Sequence, residues 1–328
     1  MRTCATLCAG IICAGAVWLL AASAPAQNLY VSAEGYTPPL DPIESEPSGT
    51  IYQANPGETI SVFARDPGTE VRGLTFDESG NIFTVSGGPA GNVTEITTGG
   101  TESTYASGLS APFDLAFNSS GDLFVTEGDT GIVPQIVEIA PGGGTPTTFV
   151  TGLIEPRGLA FNSSGDLFVA DLGTSNILEI TPGGTKTVFA TGLAGPFGLA
   201  FNSAGDLFVA DSASGEITEI APNGMESKYT TGLENPHFLA FDSAGDLFVS
   251  NLGTGSDGDY EDGYLTEITP DGTKTDFDEG FRDLAGVAIS PVPEPSAAGL
   301  MAIAWCVVRG ASRMTGRRRH ILDAPHTT

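Results

Sequence analysis

Apolar residues in the central part of this chain come in short runs broken at regular intervals by Asn, Ser, Gly and Pro. The segment starting at residue 158 shows the pattern. Leu159 to Phe161 is a short apolar strand, and Asn162 to Gly165 reads as a turn. Asp166 to Ala170 is a second strand, and after a loop Ile177 to Ile180 makes a third. Pro182, Gly183 and Gly184 then turn the chain into a fourth strand, Thr187 to Ala190. Asn, Ser and Gly in the first turn and Pro-Gly in the second provide the backbone angles that tight hairpins demand. Each unit is therefore expected to be a four-stranded antiparallel sheet.

The unit recurs. GLTFDESGNIF begins at Gly73, DLAFNSSGDLFVTE at Asp114, GLAFNSSGDLFVAD at Gly158, GLAFNSAGDLFVAD at Gly198 and FLAFDSAGDLFVSN at Phe238, with starts 41, 44, 40 and 40 residues apart. Four short strands repeated at this period predict an all-β fold, a β-propeller. The segment Gly286 to Ile289 is a sixth copy of the first strand with no blade after it. Asn28 to Val31, Thr50 to Gln53 and Thr59 to Ala64 read as the missing second, third and fourth strands. A six-bladed propeller follows, its last blade closed by strands from both the N- and C-terminal parts, which leaves no open sheet edge.

The stretch P-x-G-L-A-F…G-D-L-F-V-A-D resembles the NHL-repeat and gluconolactonase-like six-bladed propellers over nearly the whole of residues 27–290. NHL repeats often carry an arginine before the third-strand isoleucine, where this chain has Asn176 or Glu216. The resemblance specifies fold and leaves activity open.

The two ends read differently. Residues 1–26 start with Arg2, continue through Ile11, Ile12, Val17, Trp18, Leu19 and Leu20, and end on Ala24, Pro25 and Ala26, the pattern of a secretory signal peptide. Residues 291–328 hold Pro293, Glu294 and Pro295, an apolar stretch from Ala297 to Val308, and then Arg309, Arg313 and Arg317 to Arg319. That order resembles a PEP-CTERM sorting tail. The resemblance implies an exosortase-type sorting enzyme as partner, transient membrane anchoring, and delivery to the cell surface or extracellular matrix. The apolar stretch is shorter than the ~20 residues of a typical membrane-spanning helix. Cys4, Cys8, Cys13 and Cys306 all lie in these end segments, so the propeller has neither disulfide nor thiol chemistry.

Residues 28 to 290 hold 38 acidic and seven basic side chains. Nucleic acid is thereby excluded as a partner, because phosphate neutralisation needs clustered cations.

Strand order says which residues meet. The start of each first strand and the end of each second strand lie on one face, so Arg72, Phe113, Arg157, Phe197, His237 and Ala285 are expected around the channel mouth. Arg72 and Arg157 suit a carboxylate or sulfate, or they pair with Glu70, Asp114 or Glu155. Phe113 and Phe197 suit stacking on a sugar, or packing between blades. Ser86, Glu127, Asp171, Asp211 and Asn251 end the second strands. Such oxygens either bond backbone amides of nearby turns or contribute to a Ca2+ site, which takes about six to eight oxygens. In the gluconolactonase-like family a divalent metal sits at the mouth, held by Glu, Asn and Asp, but those ligands do not map cleanly onto these positions. The acidic run Asp257 to Asp262 has no EF-hand spacing, since Ile268 stands where the closing glutamate belongs.

His237 is the only histidine before the tail, so a three-histidine zinc site is excluded. Neither a Gly-x-Ser-x-Gly elbow nor a phosphate-binding glycine loop is present. The expected function is a surface- or matrix-associated binding module that takes an extracellular glycan or protein at the mouth. The alternative is a metal-dependent lactonase or related hydrolase.

Overall fold

The computed structural model describes residues 27–291 except 34, 37–48, 56–59, 66–70, 88–89, 129–132, 254–262 and 283. Residues 1–26, read as a signal peptide, residues 292–328 of the segment read as a sorting tail, and the acidic run at 257–262 lie outside the described residues. No helix among those described is long and apolar enough to cross a membrane.

Six antiparallel sheets are arranged as the blades of a propeller. Blade 1 comprises Val71–Phe76, Ile82–Ser86, Gly91–Ile96 and Glu102–Leu109; blade 2 comprises Pro112–Phe117, Leu123–Glu127, Gln135–Ile139 and Thr147–Thr151. Blades 3, 4 and 5 start with Pro156–Phe161, Pro196–Phe201 and Pro236–Phe241 as first strands, and Leu167–Asp171, Leu207–Asp211 and Leu247–Asn251 as second strands. Blade 6 has the order Gly286–Ile289, Leu29–Ala33, Thr50–Gln53, Ser61–Arg65. The closure read from the sequence is therefore observed, with Tyr30 opposite Ala288 and Val31 opposite both Val287 and Tyr52. Gly35–Tyr36 adds an unexpected short fifth strand to blade 5, pairing with Arg282 and Phe281.

One aromatic motif fixes the spacing between blades. A second-strand phenylalanine meets an aromatic from the fourth strand of its own blade and the phenylalanine ending the next blade's first strand. Phe124 packs edge-on against Phe149 and Phe161, Phe168 against Phe189 and Phe201, and Phe208 against Tyr229 and Phe241. Edge-to-face pairs favour this geometry beyond their area burial. Repetition of the motif follows directly from repetition of the sequence.

The first strands approach very closely at the axis. A Cβ on Gly198 would lie 2.2 Å from the His237 carbonyl oxygen, and one on Gly158 2.3 Å from that of Phe197. These two positions need glycine because neighbouring backbone occupies the space of a side chain.

Candidate functional site at the channel mouth

Each first strand of blades 1 to 5 is bulged near its start. In blade 3 Pro156 pairs with Asp171 and Leu159 with Val169, so Arg157 and Gly158 face a single partner residue; the same shift occurs in the other four. A bulge re-aims side chains and leaves backbone donors without ladder partners. Hydroxyl groups from second strands take up some of these donors. Thr126 Oγ1 accepts from the Asp114 N–H at 3.0 Å and donates to the Arg157 carbonyl at 2.9 Å, linking blades 2 and 3. Ser250 Oγ accepts from the Phe238 N–H at 3.0 Å. In blade 6 Ser32 Oγ accepts from the Gly286 N–H and donates to the Arg72 carbonyl, both at 2.7 Å.

These bulges bring the expected ring residues together. The Arg157 guanidinium carbon lies 4.6 Å from the centre of the Phe113 ring and 5.6 Å from that of Phe197, and the Arg72 carbon lies 5.1 Å from Phe113. Phe113 and Phe197 meet edge-on at 5.1 Å. His237 stacks on Phe197 with centroids 3.9 Å apart. Each cation–π contact contributes roughly 0.5–1 kcal/mol where partly exposed and more where water is excluded.

Phe238 completes the group. It stacks against Phe113 at 5.8 Å and meets Phe197 edge-on at 6.4 Å. Phe113, Phe197 and Phe238 belong to one buried cluster. The aromatic residues thus fill the throat of the channel, and the guanidinium groups lie over them. Packing between blades, one of the two readings of Phe113 and Phe197, is what the structure shows.

Arg157 is held in place by an ion pair with Glu155, and its Nε is buried without a hydrogen-bond partner. Burial, reinforced by the nearby Arg157 charge, pushes the His237 pKa down to about 3. His237 is therefore a neutral imidazole across the physiological range.

The second-strand ends play a different part. Glu127 accepts from the Ser110 N–H at 2.8 Å and from Gln135 Nε2 at 2.7 Å. Asp171 accepts from the Glu155 N–H at 2.7 Å and the Ile154 N–H at 3.1 Å. Both carboxylates thereby hold the loop that enters their own blade. Asp211 Oδ2 accepts from Thr218 Oγ1 at 2.6 Å, while Oδ1 is buried without a partner, and burial raises its pKa to about 6. Asn251 donates to Thr266 Oγ1 at 2.9 Å and leaves its own Oδ1 buried and unpartnered. Among the described residues no three His, Cys, Asp or Glu side chains are grouped to hold a metal. The oxygens of Glu127 and Asp171 accept from backbone and side-chain donors, which fits loop anchoring at these two positions.

Three solved structures resemble the chain in fold. Virginiamycin B lyase from Staphylococcus aureus aligns with a TM-score of 0.55 at 18% identity, over 77% of this chain and 88% of the other. A protein of unknown function from Bacteroides caccae gives 0.59 at 16%, over 81% and 99%. XC5397 from Xanthomonas campestris, a gluconolactonase, gives 0.54 at 17%, over 62% and 75%. The likeness is one of fold. No protein-family model and no curated protein matches the sequence. The expected six-bladed propeller is thus supported, and proteins that share the fold include a gluconolactonase and a lyase.

Sequence alone gives Phe238 no role, and Asp114 only that of an ion-pair partner for Arg72 or Arg157. Both occupy the position after the ring residue, where blades 1, 3, 4 and 6 carry Gly73, Gly158, Gly198 and Gly286. The signal that marks them is this departure from an otherwise uniform glycine.

Proposed function

We propose that the protein is an exported, surface- or matrix-associated binding module that takes an anionic extracellular ligand, a carboxylate- or sulfate-bearing glycan, over the mouth plug. The supporting observation is the placement of two guanidinium groups over Phe113, in a domain where acidic residues outnumber basic ones 38 to seven. Guanidinium groups match carboxylate and sulfate oxygens in bidentate geometry. Neutral His237 adds a polar edge without adding charge. Calorimetry of the full chain with a polyuronate, a sulfated glycan and a neutral glucan tests this. Anionic glycans should bind, and Arg72→Met with Arg157→Met should weaken them roughly tenfold or more. Equal affinity for the neutral glucan, or an unaffected double variant, would remove the reading.

The second reading, a divalent-metal-dependent lactonase, draws on the fold likeness to a gluconolactonase and on the unpartnered Oδ1 atoms of Asp211 and Asn251. Thermal unfolding in EDTA and across a calcium titration separates the two. A bound ligand at a hundredfold excess over its dissociation constant stabilises by about 2.7 kcal/mol, some 5–10 °C for a domain of this size. The binding reading expects no saturable shift; a saturable rise would instead favour the lactonase.

A further inference from the structure

One carboxylate already sits on the mouth arginines, and the chain itself supplies it. Glu155 Oε1 meets Nη2 of Arg157, the guanidinium that stands over Phe113 and Phe197. The Arg157 side chain is 14% exposed and that of Glu155 40%. Glu155 is thus the member of the pair that faces solvent, and the one that an incoming anion has to displace.

The loop carrying Glu155 differs from its counterparts. Asp171 accepts from both the Ile154 and the Glu155 N–H groups, and the Glu155 backbone stays outside the left-handed region. At the same place blades 2, 4 and 5 have Ala111, Gly195 and Asn235, with φ of 46°, 82° and 57°. A left-handed backbone crowds a side chain against the following carbonyl, and the Asp171 clamp spares Glu155 that strain while it reaches Arg157. The sequence couples the two residue types as well. Glutamate stands two places ahead of a ring residue only where that residue is arginine, Glu70 before Arg72 and Glu155 before Arg157. Phe113, Phe197 and His237 follow Ala111, Gly195 and Asn235, and Ala285 follows Asp283.

We infer that, given an anionic ligand at the mouth as proposed above, Glu155 is a specificity-determining residue: a tethered competitor that restricts the site to polyanions whose adjacent acidic groups engage Arg157 and Arg72 together. A tethered group acts at an effective concentration on the order of millimolar. A ligand with one carboxylate displaces Glu155 and gains a contact no better than the one it breaks. A ligand with two gains the second contact at Arg72, because both guanidinium groups stand over the one Phe113 ring and the second encounter is then intramolecular. The released Glu155 carboxylate is partly exposed already and returns to water at little cost.

Calorimetric titration of the full chain with galacturonate and with trigalacturonate tests this, in the wild-type protein and in Glu155→Gln, Glu179→Gln and Arg72→Met. Asp171 holds the backbone of residue 155, so Glu155→Gln leaves the loop anchored. Trigalacturonate should bind the wild-type protein roughly tenfold or more tightly than galacturonate, and Arg72→Met should remove most of that advantage. Glu155→Gln should strengthen both ligands about threefold or more. Glu179→Gln takes the same charge from the third strand of blade 3, away from Arg157, and should change neither. Unchanged or weaker binding in Glu155→Gln, or an equal gain in Glu179→Gln, would overturn the role of Glu155 while leaving an anion site at the mouth. Equal wild-type affinity for the two sugars would overturn the requirement for a polyanion. Failure of trigalacturonate to bind either the wild-type protein or Glu155→Gln would remove the inference and the anionic-ligand reading together.

Discussion

Asp114→Asn is expected to stabilise the propeller at alkaline pH and to change little in acid. Asp114 has a folded-state pKa of about 7 against a model value of 3.8, because the cost of burying its charge exceeds the help from the Leu159 and Leu115 backbone amides. The folded state therefore holds a proton that the unfolded chain releases. Its stabilising contribution is complete below about pH 4 and is lost as pH climbs to and through about 7. A shift of this size corresponds to a few kcal/mol, on the order of 4 at most. The asparagine side chain keeps an oxygen for the Leu159 N–H and carries no charge to desolvate. Denaturant unfolding of both proteins at about pH 5 and about pH 9 would show it, as a gap in the variant's favour that is clearly larger at the higher pH. A constant gap, or a variant weaker at both, would mean that Asp114 is charged in the fold and better stabilised than its burial implies.

Gly198→Ala should be among the most damaging single substitutions. The new methyl would lie 2.2 Å from the His237 carbonyl oxygen and 2.8 Å from the Phe238 Cα, both backbone atoms that cannot swing away. Relief requires blades 4 and 5 to move apart at the axis, which also separates His237 from Phe197. A loss of about 3 kcal/mol is expected, at the upper end of ordinary overpacking costs. Gly183→Ala is the matched control, since its methyl meets only Thr181 Oγ1, at 3.9 Å. Chemical denaturation of the pair reads the difference. Similar midpoints would show that the blades yield at the axis more easily than the close contacts suggest.

Much of this architecture was legible because one unit is written five times. Blade number, strand order and the closure by Leu29–Ala33 against Gly286–Ile289 all follow from counting copies of one strand pattern. The mouth ring was legible for the same reason, since antiparallel order puts Arg72, Phe113, Arg157, Phe197 and His237 on one face. The depth of that ring was not. Whether a phenylalanine lines an opening or fills it depends on the bulge that re-aims it and on what stands beside it, here Phe238. A strand of only two residues, Gly35–Tyr36, has no periodicity to read. The second-strand carboxylates carried two readings in the sequence; for Glu127 and Asp171 the amide donors of Ser110, Ile154 and Glu155 favour loop anchoring.

The closing blade also sets an order on the life of the chain. Its second, third and fourth strands are synthesised first, yet their partner at the axis, Gly286–Ile289, is among the last of the propeller to emerge. Contacts of such long sequence separation form slowly. Blades 1 to 5 can each assemble as their strands appear, while Leu29–Ala33 waits with one edge unpaired. Until residue 289 arrives, the nascent ring is an open arc, and a chaperone or an inhibitory peptide has one well-defined edge to hold.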